Sequence, residues 1–315
     1  MNLELNLTHI VSKLNDELAQ FEKEWDERNL ELKAYQLVFE DKDDLTPYFN
    51  SDEKVDMQHV NTINLKAWIG AVDSTCILLA TTNKGLLFAF RACVVLSYSG
   101  KPRAFLRLGP YLIHLNSNNL DNMNYLLSLN GEKNLMNQVI RIRIERILQK
   151  LLATNLKNSL ILIDGSLRYS VVEPKPFNLK DIIEISKERD NHIIAISKKT
   201  IIKNIQNLTS KLFECKDAPL IIPLSLNGEV SLGHITITKF TRDGIPLRVD
   251  YQNSLKLALS MLLSNDSFNF GYPESLSLAH RLSIFNALEI SSLKCYVKAK
   301  GAIEVPSYNF RTLVL

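Results

Sequence analysis

Two aspartates stand where a carboxylate is costly. Asp73 interrupts the apolar run GAVDSTC, and Asp164 ends the run LILID just before Gly165. A buried, unpaired carboxylate is expensive, so each must be hydrogen-bonded, protonated or matched by a cation. A third acid, Glu145, lies on NLMNQVIRIRIERILQKLLATN, flanked by Arg143 and Arg146, and Glu132 and Glu173 are alternatives to it. Three converging carboxylates suit oxygen-liking divalent ions, Mn²⁺ or Mg²⁺. That donor set serves two-metal phosphodiester hydrolysis, in which one ion generates the attacking hydroxide and the other stabilises the leaving oxygen. Gly165 permits a sharp turn there and omits a Cβ that would crowd a phosphate. Asp-Gly is also a plain turn signal. That reading covers Asp164 far better than Asp73, which sits inside its strand.

The elements that must position these acids follow from periodicity. From Leu7 to about Tyr35, Ile10, Leu14, Leu18, Phe21 and Trp25 recur every three or four residues among acids and lysines, the mark of an amphipathic helix that packs on its own domain or on another protein. The polar, proline-containing EDKDDLTPYFNSDEK then reads as linker or loop, so residues 1–60 form an acidic N-terminal segment and residues 61–315 the main domain. AWIGAVDSTCILLA, GLLFAFRACVVLSY and RAFLRLGPYLIHL predict three consecutive strands. A long helix over residues 134–155 follows, then a short buried strand ending at Asp164. KDIIEISKER (helix), HIIAISK (strand) and KTIIKNIQNLTSKLF (helix) continue the alternation, and GHITITKF and IPLRVDYQ return to strands. SLKLALSMLL and ESLSLAHRLSIFNALEI predict two closing helices before an extended tail, AIEVPSYNFRTLVL.

A meander of three strands, then a helix, then a strand is the order of a ribonuclease H-like mixed α/β sheet flanked by helices. There the fourth strand pairs with the first. That pairing brings Asp73 and Asp164 together at one edge of the core, with the intervening helix able to add Glu145.

Charge is unevenly spread. Residues 1–60 carry 15 acids against 6 bases, whereas the remainder has a balance of +12. A basic body behind an acidic start suits contact with phosphates. No apolar run reaches the length of a membrane helix, and the start MNLELNLTHIVSK lacks the layout of a signal peptide, so a cytoplasmic protein is expected. The four cysteines form no CxxC pair and are expected to fill the core.

With these residues in view, the body of the chain resembles a known family. GAVDST, LILIDGSL, IIAISKKT, LRVDY and, above all, GYPESLSLAHRLSIF are similar to the NurA family of archaeal and bacterial nucleases, over roughly residues 68–310. The resemblance implies a dimeric, manganese-dependent DNA nuclease with a ribonuclease H-like fold. It implies 5′–3′ exonuclease and single-strand endonuclease activity in end resection for recombinational repair, with the hexameric ATPase HerA as partner. Carried onto this chain, the metal-binding acids fall on Asp73 and Asp164, with Glu145 as the helix acid. Tyr272 and His280 complete the active centre, and Lys198 matches the lysine after the next strand. Family members commonly have glycine straight after the first aspartate, where Ser74 stands here. Two other readings share the fold: a non-catalytic DNA-end adaptor that docks the ATPase, and a ribonuclease, which preference for an RNA strand would reveal.

Overall fold

The structure is a computed structural model that describes residues 11–17, 19–20, 48–49, 56–82, 85–116, 132–168, 179–198, 205–224, 226–227 and 232–300. After two short strands, β1 (Tyr48–Phe49) and β2 (Gln58–His59), the three apolar runs pair as an antiparallel meander: β3 (Ile69–Thr82), β4 (Gly85–Tyr98) and β5 (Lys101–Asn116). The unbroken apolar character of β4 has a direct cause. Alternate side chains enter different cores, Phe88, Phe90, Val94 and Leu96 on one face and Leu87, Ala89, Cys93 and Val95 on the other.

The alternation of helix and strand then begins with α1 (Glu132–Asn155), β6 (Leu160–Asp164), α2 (Leu179–Glu188) and β7 (His192–Ser197). It continues through α3 (Gln206–Glu214), β8 (Leu220–Leu224), β9 (Leu226–Asn227), β10 (His234–Lys239) and β11 (Leu247–Tyr251). The chain closes with α4 (Leu255–Asn265), the hairpin β12 (Phe268–Asn269) and β13 (Tyr272–Pro273), α5 (Glu274–Ser283) and α6 (Ala287–Ala299). Among the described residues the main sheet has nine strands in the order β2-β8-β10-β11-β7-β6-β3-β4-β5. β6 runs parallel to both β3 and β7, and the other pairs are antiparallel. The fourth strand of the expected order thus lies beside the first. α1 and α2 cover one face through Ile140, Ile144, Leu148 and Ile182, and α4 and α5 cover the other through Leu259, Leu262 and Leu276.

Several expectations need adjustment. The last helical stretch is two helices, because Asn286 starts a new one. Its side chain accepts from Glu289 N while Glu289 bonds back to the Asn286 amide. Of the N-terminal helix, residues 11–17 are helical; Leu14 is fully buried in the core under α1, and Glu17 lies 4.0 Å from the buried Arg143. The acidic segment therefore meets a basic helix of its own chain. Residues 19–20 are helical as well; the other residues of that expected helix, most of the linker, residues 199–204 and the tail 302–315 lie outside the described residues. Cys76 and Cys93 are buried as expected, but Cys295 is exposed. No helix among the described residues is long and apolar enough to cross a membrane.

Candidate active site

β3 and β6 pair in register, Val72 opposite Ile163, so the next step along each strand sets Asp73 beside Asp164. β6 ends there while β3 runs on to Thr82. The exit is made by Gly165 at φ +123°, a conformation that favours glycine. A Cβ at Gly165 would touch no protein atom within 4 Å, so within the chain this glycine is needed for the sharp turn the sequence led one to expect. The turn is pinned to the neighbouring strand. Gly165 N donates to Ile196 O at 3.0 Å, and Ser197 Oγ donates to Gly165 O at 2.5 Å.

Strand alternation divides the site between two faces. Asp73, nearly fully buried, meets α5: Oδ2 lies 2.9 Å from His280 Nδ1 and accepts from Ser283 Oγ at 2.7 Å. Ser74 meets α1 instead and donates through Oγ to Glu145 Oε1 at 2.8 Å. Arg141, one turn before Glu145, ties the two faces together. Its Nε donates to Ser74 O at 2.9 Å, and its Nη2 stands 3.4 Å from Glu145 Oε1 and 3.6 Å from Asp73 Oδ1. On the other flank, Lys198 Nζ lies 3.9 Å from Asp164 Oδ2 and 4.1 Å from the centre of the Tyr272 ring. The buried Tyr272 hydroxyl is directed at the Asp164 carboxylate.

Electrostatics follow from that crowding. Burial pushes the Glu145 carboxyl up to about 7, with Asp73 adding to the rise and Arg141 and Ser74 opposing it. Asp164 is also raised, first by burial and then by Asp73, against the pull of Lys198. The Tyr272 hydroxyl is pushed well above its ordinary range by burial and by the neighbouring Asp164. The carboxylates thus repel one another in a poorly hydrated place.

All six sequence-predicted residues, Asp73, Glu145, Asp164, Lys198, Tyr272 and His280, fall in this one neighbourhood. Of the alternative helix acids, Glu132 opens α1 three turns from Glu145, and Glu173 lies outside the described residues. Sequence reasoning missed Arg141 and Ser283. The available signals were spacings: Arg141 is four residues before Glu145 and Ser283 three after His280, each the helical repeat that shares a face. Ser74, noted in the sequence as a departure, turns out to hold Glu145.

Among the described residues, no three acidic, histidine or cysteine side chains are grouped as a ready-made metal cluster. Arg141 spans Asp73 and Glu145, and Lys198 sits by Asp164. The donor chemistry still fits a hard cation. Three carboxylates, two of them raised by burial and mutual repulsion, create a demand for positive charge, and the Tyr272 hydroxyl beside Asp164 adds a neutral oxygen to the same oxygen-rich place.

No protein-family model and no curated protein matches the chain. Solved structures do match it. The NurA nuclease from Sulfolobus solfataricus is similar over 87% of this chain and 93% of that one, at 16% identity and a TM-score of 0.50. A NurA bound to dAMP and manganese is similar over 93% of this chain and 96% of that one, at 11% identity and a TM-score of 0.51. Likeness at such identities speaks for backbone architecture, which is what the meander, the parallel β3–β6 pair and the flanking helices had already indicated. The chain has the fold of the NurA nucleases, a ribonuclease H-like mixed sheet covered by helices on both faces.

Proposed function

We propose that the protein is a divalent-metal-dependent DNA nuclease that hydrolyses phosphodiester bonds at the Asp73–Asp164 centre. The observation that carries this is the pairing of two acids on adjacent parallel strands, with His280 bonded to the first and Lys198 and Tyr272 gathered on the second. Asp73, Asp164 and Glu145 would hold manganese, with magnesium as the alternative. The ion would supply activation of water and charge stabilisation of the leaving oxygen. A fold neighbour carrying dAMP and manganese supports that choice of ligand class.

The chain's own groups divide the remaining work. Asp73 fixes His280 through Nδ1, which leaves the other ring nitrogen of a half-exposed imidazole to take or give a proton. The Lys198 ammonium neutralises a phosphate oxygen. The Tyr272 hydroxyl, kept protonated by its surroundings, donates a hydrogen bond to another.

By resemblance, the finer reading is 5′–3′ exonuclease and single-strand endonuclease action in DNA end resection for recombinational repair. It includes a homodimer in the cytoplasm, served by a HerA-type hexameric ATPase. A second reading has a specific observation behind it. Arg141 and Lys198 already balance the acids, as a non-catalytic DNA-end adaptor of the same fold would require. An assay on end-labelled DNA with Mn²⁺, Mg²⁺ or EDTA separates the two. The nuclease reading expects metal-dependent cutting that disappears with EDTA and in both Asp73→Asn and Asp164→Asn. Cutting by either variant at the normal rate, or none by the intact protein with any metal, overturns it.

A further inference from the structure

The hairpin that carries Tyr272 has an unusual tip. Asn269 pairs with Tyr272, leaving Phe270 and Gly271 as the two turn residues, both with positive φ, +49° and +83°. Such turns favour asparagine, aspartate or glycine at the first position, and a bulky side chain there is an outlier. The strain is held in place from outside. Phe270 O accepts from Ile245 N at 3.1 Å, and a Cβ on Gly271 would come within 2.8 Å of Gly244 Cα, so the two backbones are in contact. The ring so held is 78% exposed, although an apolar side chain in a costly backbone conformation should at least be covered.

Topology places this ring on the rim of the acidic centre. Gly244 and Ile245 belong to the β10–β11 connection. β11 begins opposite the end of β7, Arg248 beside Ser197, and β7 ends level with Asp164. The connection therefore leaves the sheet at the same end as Asp164 and Lys198, and it also carries the exposed Arg242. Gly271 alone separates Phe270 from Tyr272, which keeps their Cα atoms within about 7 Å.

We infer that Phe270 is a stacking platform for an unpaired nucleobase of the strand entering the site, held rigidly so that a neighbouring phosphate falls to Lys198 and Tyr272. This rests on the DNA-nuclease reading. An aromatic face accepts any base, and a base already stacked inside a duplex is not available to it, so the contact selects single-stranded or frayed ends over intact duplex. A ring fixed in advance by a strained turn loses little freedom on binding.

The test measures binding of fluorescently labelled oligothymidylate and of a duplex by anisotropy in EDTA, so that nothing is cut. Thermal melts are recorded alongside. Phe270→Asn, which suits the turn, should weaken single-strand binding about tenfold, leave duplex binding within about twofold, and raise Tm by about 2 °C. Phe270→Leu, apolar but without a ring, should lose single-strand affinity as well. Phe270→Trp should keep it, with indole fluorescence quenched as the strand binds. The inference is overturned if Phe270→Asn or Phe270→Leu binds single strands like the intact protein, if duplex binding falls equally, or if the new tryptophan is not quenched. Intact protein that binds neither nucleic acid overturns the DNA reading itself, and the stacking role with it.

Discussion

The sheet contains two acidic clusters that look alike in a list of residues and differ in every physical respect. At Asp250, fully buried on β11, the carboxylate is saturated: Arg248 donates to it through Nε at 2.7 Å and Nη2 at 2.9 Å, and Leu167 N donates at 3.0 Å. Both partners are sealed, so neither has reason to move. At Asp73 the partners are half exposed, with 52% of the His280 side chain and 42% of Arg141 open to solvent. Arg141 also approaches the acids more loosely, at 3.4 and 3.6 Å. A sealed pair braces the fold, whereas an open one leaves its carboxylates ready to exchange partners.

Substitution should separate the two clusters most sharply. Asp73→Asn is expected to lower metal-dependent cutting by at least about a thousandfold. Unfolding free energy in EDTA should stay level or rise, because one of three mutually repelling carboxylates has lost its charge. Asp250→Asn should do the reverse. It removes the charged acceptor of the buried Arg248 guanidinium, at a cost of about 3–5 kcal/mol, with activity falling only as far as the folded fraction does. Urea denaturation and nuclease rates on the two variants check this, and similar stability losses in both would erase the distinction.

A smaller effect concerns the open cation. Arg141 competes with any metal for Asp73 and Glu145, so Arg141→Gln should bind Mn²⁺ about fivefold more tightly in a calorimetric titration while the metal-free protein loses up to about 1 kcal/mol of stability. Weaker Mn²⁺ binding by the variant would mean that Arg141 orients the acids for the ion rather than standing in for it.

How much of this was legible in the sequence depended on the range of the interaction. The meander, the long helix and the strand ending at Asp164 follow from period and apolar run length, local properties that survive without neighbours. The pairing of Asp73 with Asp164 was reachable because strand order restricts which ends can meet. Arg141 was hidden because arginines on a charged helix normally face solvent, whereas this one reaches past Glu145 to Asp73. Ser74 was judged by what it replaces, whereas its role comes from strand alternation, which turns it away from Asp73 toward Glu145. The break at Asn286 was hidden because the apolar pattern continues across it. Only the reciprocal bonds with Glu289 mark the new start. The exposure of Phe270 could not be read at all, since a phenylalanine beside Gly-Tyr-Pro has the composition of a core turn.

The Arg91–Glu289 pair lies between the two extremes. Arg91 is buried on β4 and grips Glu289 with both nitrogens, at 2.8 and 3.0 Å, also donating to Ile284 O at 3.0 Å. Glu289 is open on its outer side, where Arg107 approaches at 3.4 Å. The hydrogen bonds from Arg91 hold the Glu289 carboxyl down at about 2. A carboxyl depressed in the folded state stabilises it fully above the ordinary value near 4.5, and that contribution fades as pH falls toward 2. Because the pair is partly solvated, its worth is about 1 kcal/mol rather than what a sealed pair would contribute. Glu289→Gln should therefore lower stability by about that amount at pH 7, with the gap to the intact protein narrowing below about pH 4. Urea melts of both proteins at several pH values read this directly. A gap that persists undiminished at pH 3 would show that packing at the start of α6, rather than charge, is what Glu289 contributes, and would set this contact apart from the charge-based Arg248–Asp250 pair.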